Sequence, residues 1–131
     1  MLSYRTWLTL CCLALSFSCA CSQRRPIEPP KTNEDGLKEL AEMYRYIDYS
    51  KLRVPGKAED LNDFVDSLQN ALERVKSGEI VVYWGVGYSK DGEQILAYDK
   101  KAETDGGPVL LRNGTVKKMT AAEFKAAPKA K

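Results

Sequence analysis

The stretch Val109-Leu110-Leu111-Arg112-Asn113-Gly114-Thr115-Val116-Lys117-Lys118-Met119 reads as two strands joined by a tight turn. Asn-Gly is the strongest short hairpin signal, because both central positions of a two-residue turn need positive φ. Glycine adopts that backbone freely and asparagine tolerates it, so Asn113 and Gly114 are assigned to a turn and not to a contact site. Directly after the hairpin, Thr120-Ala121-Ala122-Glu123 is a capping box opening a short helix. Upstream, Asp91-Gly92 marks a turn into Glu93 to Asp99, where Ile95, Leu96, Ala97 and Tyr98 predict another strand. Earlier still, Ile80-Val81-Val82-Tyr83-Trp84 is β-branched and aromatic throughout and apolar on both faces. That pattern predicts a central strand, with Trp84 largely buried beside Ile80, Val82, Leu96 and Leu110.

Before the strands the period changes to that of helices. Leu37, Leu40, Ala41, Tyr44 and Ile47 fall on one helical face, with Asn33, Glu34 and Asp35 supplying a cap and negative charge at its start. Val54-Pro55-Gly56 breaks the chain. A second helix is expected from Leu61, Phe64, Val65, Leu68, Leu72 and Val75, with Gly78 in the C′ position. The expected fold class is therefore α+β: two N-terminal helices, a roughly four-stranded antiparallel sheet and a short C-terminal helix. Residues 33–126 form a single α+β domain and 127–131 read as a disordered tail.

The first 21 residues have a different character. Arg5 precedes the apolar run Trp7 to Phe17, which has 11 residues, and small residues follow through Ser22. A membrane span needs about 20 apolar residues, so the run reads as a secretory leader. Ser18 and Ala20 stand at −3 and −1 to Cys21, a pattern suited to leader peptidase. A small residue before a cysteine also resembles the bacterial lipoprotein box, with Cys19 or Cys21 carrying the lipid. Neither box has Leu at −3, so both cysteines remain candidates. Residues 22–32 hold three prolines and little that is apolar and read as a tether.

Composition excludes several functions. The chain has 131 residues, 20 basic and 18 acidic for a net charge of +2, and no histidine. A near-neutral balance provides no general attraction to nucleic acid or an anionic membrane. The commonest general base and zinc ligand is missing. All four cysteines, Cys11, Cys12, Cys19 and Cys21, lie in the leader region, so a disulfide framework or thiol-based site in the domain is excluded.

Four features could carry chemistry. Asp99, Glu103 and Asp105 share a loop and offer oxygens to calcium, but their spacing matches no twelve-residue calcium loop and a solvated loop is the simpler reading. Asp60, Asp63 and Asp66 recur every third residue and read as the solvated side of the second helix. Tyr44, Tyr46, Tyr49, Tyr83, Trp84, Tyr88 and Tyr98 favour a binding surface, although cross-strand packing accounts for most of them. Trp84-Gly85-Val86-Gly87-Tyr88 does not lie between a strand and a helix, so it is no phosphate loop; its glycines are expected at a bulge or a close contact. No catalytic residue, cofactor or metal is assigned.

Two segments resemble a known family. Leu37-Lys38-Glu39-Leu40-Ala41-Glu42-Met43-Tyr44, followed by Val54-Pro55 and Ala58-Glu59-Asp60-Leu61, is similar to the region after the pilin helix in bacterial prepilin-like and type II secretion pseudopilin-G-like proteins. Gly106-Gly107-Pro108-Val109-Leu110-Leu111-Arg112-Asn113-Gly114-Thr115-Val116 resembles their C-terminal region, where a glycine-led strand enters an Asp-Gly or Asn-Gly turn. The chain departs from that family in lacking the histidine, in having Asn113 for the usual Asp, and in lacking the Phe-Thr-Leu-x-Glu start of a pilin helix. The resemblance implies a pilin-like head mounted on a secretion signal or lipid anchor. The expected function is a non-enzymatic, exported cell-envelope protein, periplasmic, lipid-anchored or secreted, acting on an unidentified envelope or secretion partner. No nucleic acid is expected, and membrane contact only through a lipid anchor. The alternative is a small-ligand or peptide-binding lipoprotein using an aromatic sheet face around Trp84.

Overall fold

The computed structural model describes residues 31–131. The leader, the cysteines Cys19 and Cys21 and most of the tether lie outside the described residues. The fold is α+β, with helices first, then a four-stranded antiparallel sheet and a C-terminal helix. Helix α1 spans Asn33–Tyr49 and buries Leu37, Leu40, Ala41, Tyr44 and Ile47, the face read from the sequence. Its cap is Thr32, whose hydroxyl accepts from Asp35 N while the Asp35 side chain accepts from Thr32 N. Donation from Thr32 N, and from the Thr32 hydroxyl, holds the Asp35 carboxyl below its ordinary pKa.

The expected second helix is divided. Ala58–Phe64 is a 3₁₀ helix, and α2 covers only Gln69–Lys76. Hydrogen bonds of 3₁₀ spacing continue past the first segment, from Val65 N to Asn62 O, Ser67 N to Phe64 O and Leu68 N to Val65 O. Asp60, Asn62, Asp63, Asp66 and Ser67 crowd this stretch, and short polar side chains compete with α-helical backbone bonding. Ser67 Oγ donates to Phe64 O, and Asp60 Oδ2 accepts from Gly56 N. The supposed single apolar face separates accordingly: Leu61 and Leu68 are buried, and Val65 is exposed. Gly78 does stand at C′ of α2.

Strands β1 (Ile80–Val82), β2 (Ile95–Asp99), β3 (Gly107–Leu111) and β4 (Val116–Met119) pair in sequence order, all antiparallel. Helix α3 is Ala121–Ala126, opened by the Thr120–Glu123 capping box. Hence β1, expected in the centre, is an edge strand, and it stops two residues early. Its apolar pattern has another cause: both faces of the sheet are covered. Ile80 and Val82 join Leu37, Leu40, Leu61, Leu96 and Leu110 beneath α1 and α2. Val81 and Tyr83 lean on the opposite core, where Ile95, Tyr98, Val109, Met119 and Phe124 meet under α3. A run apolar on both faces reports a covered sheet, not a central position. Trp84, expected to be largely buried, is only half-buried at the edge of the α1-side core, because the chain leaves the sheet there.

Residues 127–131 are also placed differently from expectation. Ile95 N donates to Pro128 O and Ala130 N donates to Ile95 O, a parallel bridge along the edge of β2 that β1 leaves open. Ala130 is buried in the α1-side core. Backbone pairing decides this segment, and its small residues give no pattern that would announce it.

The Asn113-Gly114 turn is present but of another kind. Gly114 has φ 80°, and Lys51 is the only non-glycine with positive φ among the described residues, so Asn113 is not left-handed. Gly114 N donates to Leu111 O and Leu111 N donates to Thr115 O, both at 2.9 Å. This is the three-residue loop in which glycine alone takes the left-handed position. Asn113 instead contributes its side chain, with Oδ1 accepting from Thr115 N at 3.0 Å. Asn113→Asp keeps that acceptor and should change stability by less than about 0.5 kcal/mol. Asn113→Gly removes it and should cost about 1 kcal/mol in urea unfolding; equal midpoints for the two variants would contradict the assignment.

Tyr44 tests the core by pH. It is 1% exposed, and its hydroxyl has no hydrogen-bond partner among the described residues. Burial pushes its ionisation far up. In the unfolded chain a tyrosine ionises near pH 10. Above that, the unfolded state loses a proton that the folded state keeps, so stability falls as pH rises, by about 1.4 kcal/mol per pH unit for this site. Tyr44→Phe should be as stable as wild type or more so at neutral pH, because no bond is lost. From pH 10 upward its stability should fall less steeply. Parallel slopes in alkaline unfolding would show that Tyr44 is not sealed from water.

Candidate functional site

The polar groups singled out from sequence are dispersed by the fold. Asp99 is buried; its Oδ2 accepts from Asn33 Nδ2 at 2.9 Å and its Oδ1 from Lys101 N at 2.9 Å. Glu103 Oε1 accepts from the Tyr98 hydroxyl at 2.7 Å, and Asp105 is exposed. The three carboxylates of the candidate calcium loop thus face separate protein partners or water. Among the described residues no group of three or more Cys, Asp or Glu side chains is placed to hold a metal ion. Asn33 and Asp99 instead belong to a structural network. Arg74 donates to Asn33 Oδ1, Asn70 Oδ1 and Lys31 O, and Asn70 Nδ2 donates to Thr32 O, tying the start of α1 to α2.

A sizeable concave surface lies elsewhere among the described residues. A groove of about 1150 Å³ runs between α1 and the 3₁₀ segment. Met43 and Tyr46 of α1, Leu52 and Val54 of the following loop, and Phe64 and Leu68 form its apolar lining. The Tyr46 and Phe64 rings meet edge to face, with centroids 6.5 Å apart. Tyr46 is 56% exposed, Leu52 46% and nearby Val65 44%, while Tyr49 at the end of α1 is 87% exposed. Two of the four exposed large hydrophobic side chains of the described residues, Tyr46 and Leu52, thus line the groove. An exposed apolar cluster with a polar rim marks an interaction surface more often than a solvated accident.

The rim is acidic. Glu39, Glu42, Asp60, Asp63 and Asp66 line the groove, against Lys38 and Arg53. Several of these charges are engaged locally. Glu39 Oε2 accepts from Ala71 N at the start of α2, and Glu42 pairs with Arg45. Lys38 pairs with Glu34 at 2.9 Å, which holds the Glu34 carboxyl low and the Lys38 ammonium high. Asp63 and Asp66 have no ion-pair or hydrogen-bond partner among the described residues. These groove residues were absent from the sequence-based candidates, apart from the tyrosines and the aspartate series. The available signals were Tyr46 and Tyr49, which lie off the buried face of α1, and a period of three in Asp60, Asp63 and Asp66, which suits a 3₁₀ helix better than an α-helix.

Trp84 does not line this groove. No helix among the described residues is long and apolar enough to cross a membrane. Scans against protein-family models, curated proteins and solved structures each return no match.

Proposed function

We propose that this chain is a non-enzymatic, exported protein of the bacterial cell envelope, a pilin-like head carried on a secretion signal or on lipid at Cys19 or Cys21, and that it acts through protein contacts. The observation that carries this reading is the groove: an apolar, partly aromatic channel with an acidic rim at the open end of α1. The pilin-like part of this reading rests on the resemblance noted in the sequence, Gly106 to Val116 above all. The absence of histidine, and of cysteine beyond residue 21, argues against an enzyme. The aromatic sheet face around Trp84, basis of the ligand-binding alternative, is less favoured, since cores cover both faces of the sheet.

Two measurements test the reading. Intact mass of the exported protein should show a start at Cys19, Cys21 or close after, and a diacylglycerol increment that disappears in either Cys19→Ala or Cys21→Ala identifies the lipidated residue. A photo-crosslinking residue at position 46 should capture an envelope protein in cells. A chain that retains Met1 to Phe17 in the cytoplasm would overturn the proposal.

A further inference from the structure

We infer that the groove between α1 and the 3₁₀ segment receives a basic amphipathic helix of a partner protein, its apolar side chains on Tyr46, Leu52 and Phe64 and its lysines or arginines along Asp60, Asp63 and Asp66. The inference deepens the reading above and rests on its premise that the domain works by protein contact. Its basis is a match of shape and charge.

In a 3₁₀ helix, residues three apart eclipse one another, and each residue rises about 2 Å. Asp60 and Asp63 lie within the 3₁₀ helix Ala58–Phe64. Hydrogen bonds of the same spacing continue to Leu68. At that spacing Asp60 and Asp63 stand one above the other with a step of about 6 Å, and Asp66 continues the same wall of the groove. On an α-helix the same residues would wind around the surface. A partner α-helix repeats its side chains every four residues at about 6 Å, so cations at i, i+4 and i+8 meet successive carboxylates. The opposite wall is α1 itself, contributing Met43 and Tyr46. An apolar stripe lying between two such walls is the helix-in-groove mode of recognition.

Charge selects the sign of the partner. The lining carries five carboxylates against two cations. Glu39 and Glu42 are already paired with Lys31 and Arg45, whereas Asp63 and Asp66 are unpaired among the described residues. A neutral or acidic helix would leave these carboxylates beside a desolvated surface without compensation, which disfavours it.

The test uses the full chain and a synthetic, fluorescently labelled peptide of about 11 residues, three helical turns, with leucines along one face and lysines four residues apart beside them. Its control carries glutamate for each lysine. The lysine peptide should bind, with an affinity that falls as salt rises, and the glutamate peptide should bind at least about tenfold more weakly. The double variant Asp63→Lys/Asp66→Lys should keep the wild-type melting temperature and reverse the preference between peptides. Tyr46→Ala should weaken both peptides. Equal binding of the two peptides, or a double variant that behaves as wild type, would overturn the inference. So would a gain in lysine-peptide affinity on Arg24→Glu/Arg25→Glu, which would assign the groove to the chain's own tether. Self-association abolished by Tyr46→Ala would assign it to a second copy and also overturn it. The position-46 crosslink and the mass measurement stand apart from these peptides. A captured envelope partner with no peptide preference would therefore retain the general reading and remove only this occupant.

Discussion

Gly106→Ala should be the most damaging small substitution in the domain, lowering stability by about 3 kcal/mol or more. Gly106 has φ 77°, where an L-residue is strained, and it sits at the entry to β3 beside the end of β4. A Cβ there would approach Met119 O to 2.7 Å and Thr120 Cα to 3.1 Å. Both are backbone atoms at the junction of β4 and α3, so relief requires moving the hairpin or the helix. Gly114 provides the comparison. It has nearly the same φ, 80°, but its added Cβ would meet the Arg45 guanidinium at 2.7 Å. That group is the flexible end of a side chain, and moving it disturbs its hydrogen bonds to Gly114 O and to the exposed Glu42 carboxylate, with no backbone displaced. Gly114→Ala should therefore cost about 1–2 kcal/mol. The difference between the two variants in urea midpoint compares a collision with backbone against one with a movable side chain. Equal losses would mean that the β4–α3 junction yields easily.

Tyr98→Ala should cost about 3–5 kcal/mol, a large part of the stability of a domain this size. Tyr98 is the hub of the smaller core. Its ring centroid is 4.7 Å from that of Phe124 in α3 and 6.0 Å from that of Tyr83. Its hydroxyl donates to Glu103 in the short 3₁₀ helix Lys100–Glu103. Removing the ring takes away the main support of α3, which has only six residues and cannot persist unaided. Tyr98→Phe keeps the ring and loses one hydrogen bond, so it should cost about 1 kcal/mol. Amide exchange should show α3 losing protection in Tyr98→Ala before α1 does. If α3 stays protected, another contact anchors it. Candidates are the Lys129 ammonium, 4.5 Å above the Phe124 ring, and the apolar contacts of Phe124 with Met119 and Val109.

The groove's chemistry depends on a feature that hydrophobic periodicity misjudges. Leu61, Phe64, Val65, Leu68, Leu72 and Val75 fit one α-helical face, and that fit conceals a change of helix type. Polar residues flank the break, and Asp60 and Ser67 bond to nearby backbone there, which competes with α-helical bonding. As a result Val65 turns outward and Phe64 remains half-buried at the groove. An aspartate series that looks like the solvated side of an α-helix becomes a wall of the groove.

Local chemistry in the sequence was sufficient for several elements. The apolar face of α1, the Thr120–Glu123 capping box, the Asn113-Gly114 reversal and the order of helices before sheet all follow from patterns within about ten residues, whereas the cap of α1 falls on Thr32 and not on Asn33. Each depends on interactions that close within a turn or two of chain. Position within the sheet needed the tertiary structure. Nothing local distinguishes an edge strand covered on both faces from a central one, so the place of β1 and the partial exposure of Trp84 follow from where α1, α2 and α3 lie. The tail shows the same limit, since Lys129 and Ala130 are ordered by a bridge to Ile95, far away in sequence. The groove is likewise nonlocal. It exists because α1, ending at Tyr49, and the 3₁₀ segment beginning at Ala58 leave a gap when packed on one core, and only tertiary packing sets the width of a gap.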